Sequence, residues 1–209
     1  MNGVVQLISA GPDVAWGRWV GPLIDPAEMD TLAAAYGAPY QALYRIAADE
    51  FLDYTRGQKT NDRRGEVGVV LRCAEDAYLL HTKHIHPGVY RLPTGGVQWH
   101  ESVAAALVRE VYEETALTLR DVCLLAVLGY EFHCDTHVEP FVTYLFYAAR
   151  AQGELRADGI EVSGFREVPL AELADAADRL CSLPAPRARW GVWRALAHQV
   201  AYELLSQTA

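Results

Sequence analysis

Positive charge is in short supply in this chain. Its 209 residues include 18 Lys and Arg against 27 Asp and Glu, a formal net charge of −9. A field of that sign repels phosphate and argues against non-specific binding to nucleic acid or to an anionic membrane. Cysteine is sparse too. Cys73, Cys123, Cys134 and Cys181 are scattered with no CxxC pair. That excludes a disulfide framework and points to a reduced, cytoplasmic protein. Long apolar runs are missing as well, and with them any segment able to span a bilayer. The longest, Val122 to Tyr130, reads as a strand. No signal peptide, internal repeat or low-complexity tract is evident. What remains is ample apolar material, 51% of residues, enough for one large domain or one domain with an extension.

Against this background one segment concentrates acid. Gly95-Gly96-Val97-Gln98-Trp99-His100-Glu101 is followed by Arg109-Glu110-Val111-Tyr112-Glu113-Glu114-Thr115-Ala116-Leu117. Val103, Ala104, Leu107, Val108 and Val111 recur at spacings of three and four, which predicts a helix with one buried stripe. Ser102 is placed to cap it. Glu110, Glu113 and Glu114 stand at i, i+3 and i+4, neighbours on a helix surface whose like charges repel. A solvated acidic face is one reading of such a run. A site for a hard divalent cation is the other, because magnesium prefers carboxylate oxygens and also binds phosphate. The glycine pair entering the helix favours the second, since glycine lets backbone carbonyls approach a ligand closely.

The segment resembles the Nudix box, Gly-x5-Glu-x7-Arg-Glu-U-x-Glu-Glu-x-Gly-U with U a bulky apolar residue. Gly95, Glu101, Arg109, Glu110, Val111, Glu113, Glu114 and Leu117 take the defining positions. Ala116 stands where the family has glycine, which puts the helix-ending turn in doubt. With its flanks the resemblance covers roughly Val67 to Leu173. It implies a Nudix-like α/β/α sandwich around a central mixed sheet. It also implies Mg2+ or Mn2+ held by Glu110, Glu113 and Glu114 with a carbonyl from the Gly95 region. Glu110 and Glu114 are the firmest ligands in that reading, and Glu113 is a ligand or the base that activates water. Arg109, four residues before Glu113, orients a glutamate. Glu101 either binds metal or hydrogen-bonds at the loop. Family members often use a further carboxylate beyond the box, and Glu161 matches its position, with Glu131 and Glu139 as rivals and a solvated strand-edge charge as the plain alternative.

The implied activity is a metal-dependent pyrophosphohydrolase. It cleaves the phosphoanhydride of a nucleoside diphosphate linked to another moiety, with water as nucleophile. Its partner would be a small nucleotide or other diphosphate, with no nucleic acid and no membrane, and analogy with the family makes a homodimer one option. Tyr90, Arg91, Trp99 and Phe132 are weaker candidates for substrate contacts. A catalytically silent Nudix-like sensor or regulator ranks second, because such proteins usually have eroded boxes. An isopentenyl-diphosphate isomerase ranks third, because the stretch His84 to Gly95 lacks the cysteine that activity needs.

Around the box the chain divides into a helical extension, residues 1–60, and a Nudix domain, residues 65–209, ending in a helix. The first 24 residues suggest short strands or an extended arm. Asp25-Pro26 opens a helix to about Tyr36. A second helix is expected from Pro39 to about Thr55, with Tyr40, Tyr44, Ala47, Phe51 and Tyr54 packing on one face. Arg56 to Gly65, with Lys59, Arg63 and Arg64, reads as a linker. Strands are expected at 66–73, 77–83, 89–92, 124–132, 140–150 and 164–168. Helices follow at 169–177 and about 187–206, the last carrying Trp193, Leu196, Val200 and Leu204 on one face. The extension would close over the site or form a dimer interface. His81, His84 and His86, and separately His133, Cys134 and His137, are loop groups without the paired spacing of a structural zinc site.

Overall fold

The computed structural model describes residues 4–60 and 63–207, without the side chains of residues 56–60. Its centre is a mixed sheet of eight strands: β1 (Val5–Ala10), β2 (Tyr40–Ala47), β3 (Arg63–Ala74), β4 (Ala77–Lys83), β5 (Thr94–Gln98), β6 (Thr118–His133), β7 (Val138–Gln152) and β8 (Val162–Val168). The order is β1-β2-β6-β7-β3-β4-β8, with β5 also paired to β3. Two pairings are parallel, β2 with β6 and β3 with β7, and the others are antiparallel.

Alternation along the strands divides the core in two. On β7, Val142, Tyr144, Phe146 and Ala148 face one side, while Phe141 and Leu145 face the other. The first side is covered by α1 (Gly17–Val20), α2 (Pro26–Tyr36) and α4 (Val103–Thr115), through Val20, Leu32, Ala106, Leu107 and Val111. The second is covered by α3 (Glu50–Thr60), α5 (Ala171–Cys181) and α6 (Ala188–Ser206), through Leu52, Leu173, Leu180, Trp190, Trp193 and Val200. A sheet with helices on both faces is the expected sandwich. Among the described residues no helix is long and apolar enough to cross a membrane.

The N-terminal segment corrects the expectation of a helical extension, because it contributes strands β1 and β2 as well as short helices. Tyr40–Ala47, expected as helix, is a strand with neighbours on both edges, and Ala42, Leu43 and Ile46 are buried. A short continuous apolar run fits either state, so periodicity alone did not decide it. Helix α3 starts later, where the Asp49 carboxylate accepts the amide of Leu52 at 2.9 Å. The expected linker is occupied by the end of α3 and the start of β3. The Lys59 side chain lies outside the described residues. The expected strand at 89–92 reduces to a single bridge between His81 and Arg91, and the strand proper follows Pro93.

Candidate active site

Helix α4 is fixed at both ends. At its start the Ser102 hydroxyl accepts from the Ala105 amide at 3.1 Å, and Glu28, reaching over from α2, accepts from the Val103 amide at 2.9 Å. Two of the orphan amides of the first turn are thus satisfied. At its end Ala116 adopts the left-handed conformation (φ 60°, ψ 17°) and its amide donates to the Tyr112 carbonyl at 2.9 Å. The turn that a glycine would make is therefore made by alanine, with the strain that a Cβ brings. The buried stripe is Val103, Ala106, Leu107 and Val111, while Val108 is exposed. Glu114 continues that stripe and is only 4% exposed. Glu113 points outward.

The carboxylates are held by cations. Arg109 donates to Glu101, to Glu110 at 2.8 Å, to Glu113 at 3.1 Å and to the Gly96 carbonyl at 2.8 Å. Glu101 also accepts the Gln98 amide at 2.9 Å, so it is engaged in hydrogen bonds at the loop. Burial raises the Glu110 pKa, and Arg109 only partly offsets this. Burial also acts to raise Glu114, but His81 and Lys83 outweigh it and hold that carboxyl at about 2. Lys83, at the end of β4, places its Nζ 2.6 Å from Glu114 and 2.7 Å from Glu161. Two acids from different parts of the chain therefore converge on one cation. His81, fully buried beside Glu114, is pushed down to about 4 by loss of solvation and is neutral near pH 7.

The glycine pair explains the close packing here. A Cβ on Gly95 would overlap the carboxylate of Glu110, and one on Gly96 would press on the guanidinium of Arg63. Gly95, Glu110 and Glu114 also bound one small cavity together with Pro93 and Thr94. Carboxylate oxygens gathered against a bare backbone suit a hard divalent cation, and Glu110 and Glu114 are residues that could hold one.

A larger cavity of about 270 Å³ opens beside this cluster, where β4 and β5 leave β3. Its walls include Glu66, Lys83, Arg91, Glu110, Glu161 and Arg194. Arg194 donates to both oxygens of Glu66, at 2.6 and 2.8 Å, and stacks over Trp193 at 3.8 Å. The Thr143 hydroxyl donates to Glu66 at 2.9 Å.

Of the residues anticipated from sequence, Gly95, Glu110, Glu161 and Arg91 line this cavity, with Arg109 and Glu114 directly behind. Phe132 is instead buried in the core against Trp193. Trp99 faces a separate groove of about 610 Å³ with Glu28 and Arg64. Tyr90 packs against the core on the α6 side of the sheet. Glu131 pairs with Arg45 and His133. Cys134 and His137 approach Asp53, each at 3.1 Å, while His133 turns away to Glu131. Lys83, Glu66 and Arg194 were not anticipated. Their one sequence signal is a charge set in an otherwise apolar strand or helix face.

With this geometry in place, comparison with known proteins is direct. The NUDIX domain model matches residues 62–188. The chain belongs to the Nudix hydrolase family. It is similar to the RNA pyrophosphohydrolase of Actinobacillus pleuropneumoniae serotype 5b (37% identity over 62 residues), covering 30% of each chain. A similar match, 36% over 64 residues, is to the RNA pyrophosphohydrolase of Histophilus somni strain 2336, covering 31% of this chain and 33% of that one. The chain thus spans about a third of the length of these curated relatives. Among solved structures it resembles the MutT NUDIX hydrolase from Burkholderia pseudomallei, with 25% identity, a TM-score of 0.46, and coverage of 68% of this chain and 98% of that one.

Proposed function

We propose that this protein is a metal-dependent pyrophosphohydrolase that splits a phosphoanhydride with water. The observation that carries the reading is the convergence of Glu110 and Glu114 on the bare backbone at Gly95, beside a cavity lined with both cations and carboxylates. A phosphoanhydride resists attack because its oxygens repel nucleophiles. A bound Mg2+ or Mn2+ would neutralise those oxygens and lower the pKa of water. Glu110, Glu114 and the Gly95 region would hold that ion, and Glu113 would add a carboxylate from the solvent side. Arg109, donating to Glu110 and Glu113, is a positioning residue. Glu161 takes the proton from the attacking water in this reading, supported by its place in the cavity wall and its exposure to solvent. The P–O bond to the bridging oxygen breaks as the water oxygen bonds to phosphorus, and the leaving phosphate carries away the electron pair.

The curated relatives are named for action on RNA, and the net negative charge of this chain opposes only non-specific binding. A 5′-triphosphorylated RNA therefore belongs in the substrate panel, beside nucleoside triphosphates, dinucleotide polyphosphates and nucleotide sugars. Each is incubated with Mg2+, Mn2+ or EDTA, using the wild type and Glu114→Gln, and products are read by mass spectrometry. Metal-dependent cleavage that disappears in the variant supports the proposal. Metal binding without turnover of any compound refutes it in favour of a ligand sensor. For the proton transfer, Glu161→Gln is expected to lower kcat about 10²-fold or more with Mn2+ affinity unchanged.

A further inference from the structure

The cavity beside the carboxylates contains one buried cation that no carboxylate contacts directly. Arg194 is matched by Glu66, and Lys83 by Glu114 and Glu161. Arg91 is only 5% exposed, yet its guanidinium donates to neutral oxygens alone, the Leu92 carbonyl at 3.3 Å and the Thr94 hydroxyl at 2.6 Å. Among the described residues no carboxylate lies within ion-pair distance of it. Loss of solvation and the neighbouring Arg194 lower its pKa to about 10 against the opposing pull of the more distant Glu114, Glu66 and Glu161, so it remains a cation at neutral pH. A buried cation without a direct ion-pair partner is unfavourable, and such groups are normally paired in contact. A missing partner in the wall of an open cavity marks a place for an anion from outside.

Arg63, Lys83 and Arg194 share the wall with Arg91, and Glu66, Glu110 and Glu161 line it as well, so the place for the anion is at Arg91 itself. Among the described residues the wall offers a base no large aromatic face: Trp190 is 1% exposed and its face is taken by His86 at 4.3 Å, which leaves only the half-buried imidazole of His86 itself. Trp190 and Arg194 also lie beyond residues 62–188, so this wall is supplied by the chain's own C-terminal helix, outside the family match.

We infer that Arg91 binds a phosphate of the substrate, and that this cavity recognises the substrate by its polyphosphate chain while leaving any nucleobase unread. The substrate part of this inference rests on the hydrolase reading, but the anion site does not.

The first experiment is calorimetric titration with inorganic tripolyphosphate in EDTA, so that neither metal nor turnover contributes. Arg91→Gln is expected to weaken binding about 10- to 100-fold, the range for losing a hydrogen bond to a charged group, and Arg91→Lys to fall between. Arg91→Gln is also expected to melt at or above the wild-type temperature, because it removes an unpaired buried charge. Unchanged affinity in the folded variant overturns the site. If the variant does not fold, the wild-type Arg91 Nε–H resonance decides, since tripolyphosphate must shift it and an unmoved signal overturns the site. ATP, GTP, CTP and UTP are expected to bind within about threefold of one another. A preference of more than about 100-fold for one base overturns the base-blind part. Tripolyphosphate binding through Arg91 with no anhydride cleaved would refute the hydrolase and leave the anion site standing. Cleavage with affinity untouched by Arg91→Gln would do the reverse.

Discussion

Gly95→Ala separates the geometry of the carboxylate cluster from its charge. The substitution removes no acid and adds one methyl group on β5. That methyl would overlap the Glu110 carboxylate. Non-bonded heavy atoms settle at 3.5–4.0 Å, so the carboxylate must retreat by about 1.5 Å. Cγ of Glu110 is in the way as well, so the whole side chain must rotate aside, but no backbone atom is among those the methyl meets and the fold has little reason to suffer. The melting temperature should therefore change by no more than a few degrees. The site should not escape, since a displacement of about 1 Å is enough to lose roughly 10²-fold in rate. Mn2+ affinity, followed by electron paramagnetic resonance, should fall in parallel with kcat/KM. Gly21→Ala is the matched control, because nothing lies within 4 Å of a Cβ there. If Gly95→Ala keeps metal affinity and turnover within about threefold of the wild type, Glu110 does not work from the position it holds against Gly95, and the proposed site is wrong.

Three further outcomes follow from other parts of the molecule. His198 is fully buried, accepts the Leu92 amide at Nε2 (2.9 Å) and faces the Arg194 carbonyl through Nδ1 (3.0 Å). Burial, the main cause, lowers its pKa to about 3 from 6.5. The unfolded chain then takes up a proton below about pH 6.5 that the folded chain refuses, so urea denaturation should show this residue removing about 2 kcal/mol between pH 6.5 and pH 5, and His198→Gln should flatten the slope by about 1.4 kcal/mol per pH unit. Ala116→Gly relieves a left-handed alanine worth about 1–2 kcal/mol but loosens the unfolded chain by about 0.4–1 kcal/mol. A net gain of about 0.5 kcal/mol in urea is expected, and a loss would show that Ala116 is not strained. Glu28→Ala leaves the Val103 amide without its acceptor and Arg64 without its 2.8 Å partner, so denaturation should show a loss of about 1–2 kcal/mol.

The acidic helix was legible because its information is local. Ser102, the apolar spacing and the three glutamates lie within one short segment, and the structure changes only which residues complete the stripe, with Ala106 buried in place of Val108. The β6–β7 pair was legible for a similar reason, being two long β-rich runs joined by a short turn. Strand β2 was not. Its tyrosines fall at helical spacing by coincidence, while the fact that decides its state, pairing on both edges with β1 and β6, is absent from its own sequence. The one local warning was Asp49, a capping residue inside the supposed helix. The remaining walls of the cavity were invisible for the same physical reason on a larger scale. Glu66 lies on β3, Lys83 ends β4, and Arg194 sits on α6. Only sheet topology brings them together, and no spacing rule relates them.

The N-terminal segment also bears on the site more directly than a lid or a dimer contact would. Glu28 of α2 supplies an acceptor that α4 lacks at its first turn, and the same carboxylate holds Arg64, which in turn donates to the Glu101 carbonyl at 3.0 Å. Glu101 grips Arg109, and Arg109 grips Glu110 and Glu113. A chain of charge-assisted bonds therefore runs from α2 to the carboxylates, each link orienting the next. Lower down, Trp16 and Val20 press so closely on Gly129 that a Cβ there would collide with both, which anchors α1 against β6. Strand β2 covers the edge of β6, which would otherwise present an open template for aggregation. Because β1, β2 and α2 are bonded into the sheet and the charge network, helix α4 owes its placement to them as much as to its own motif.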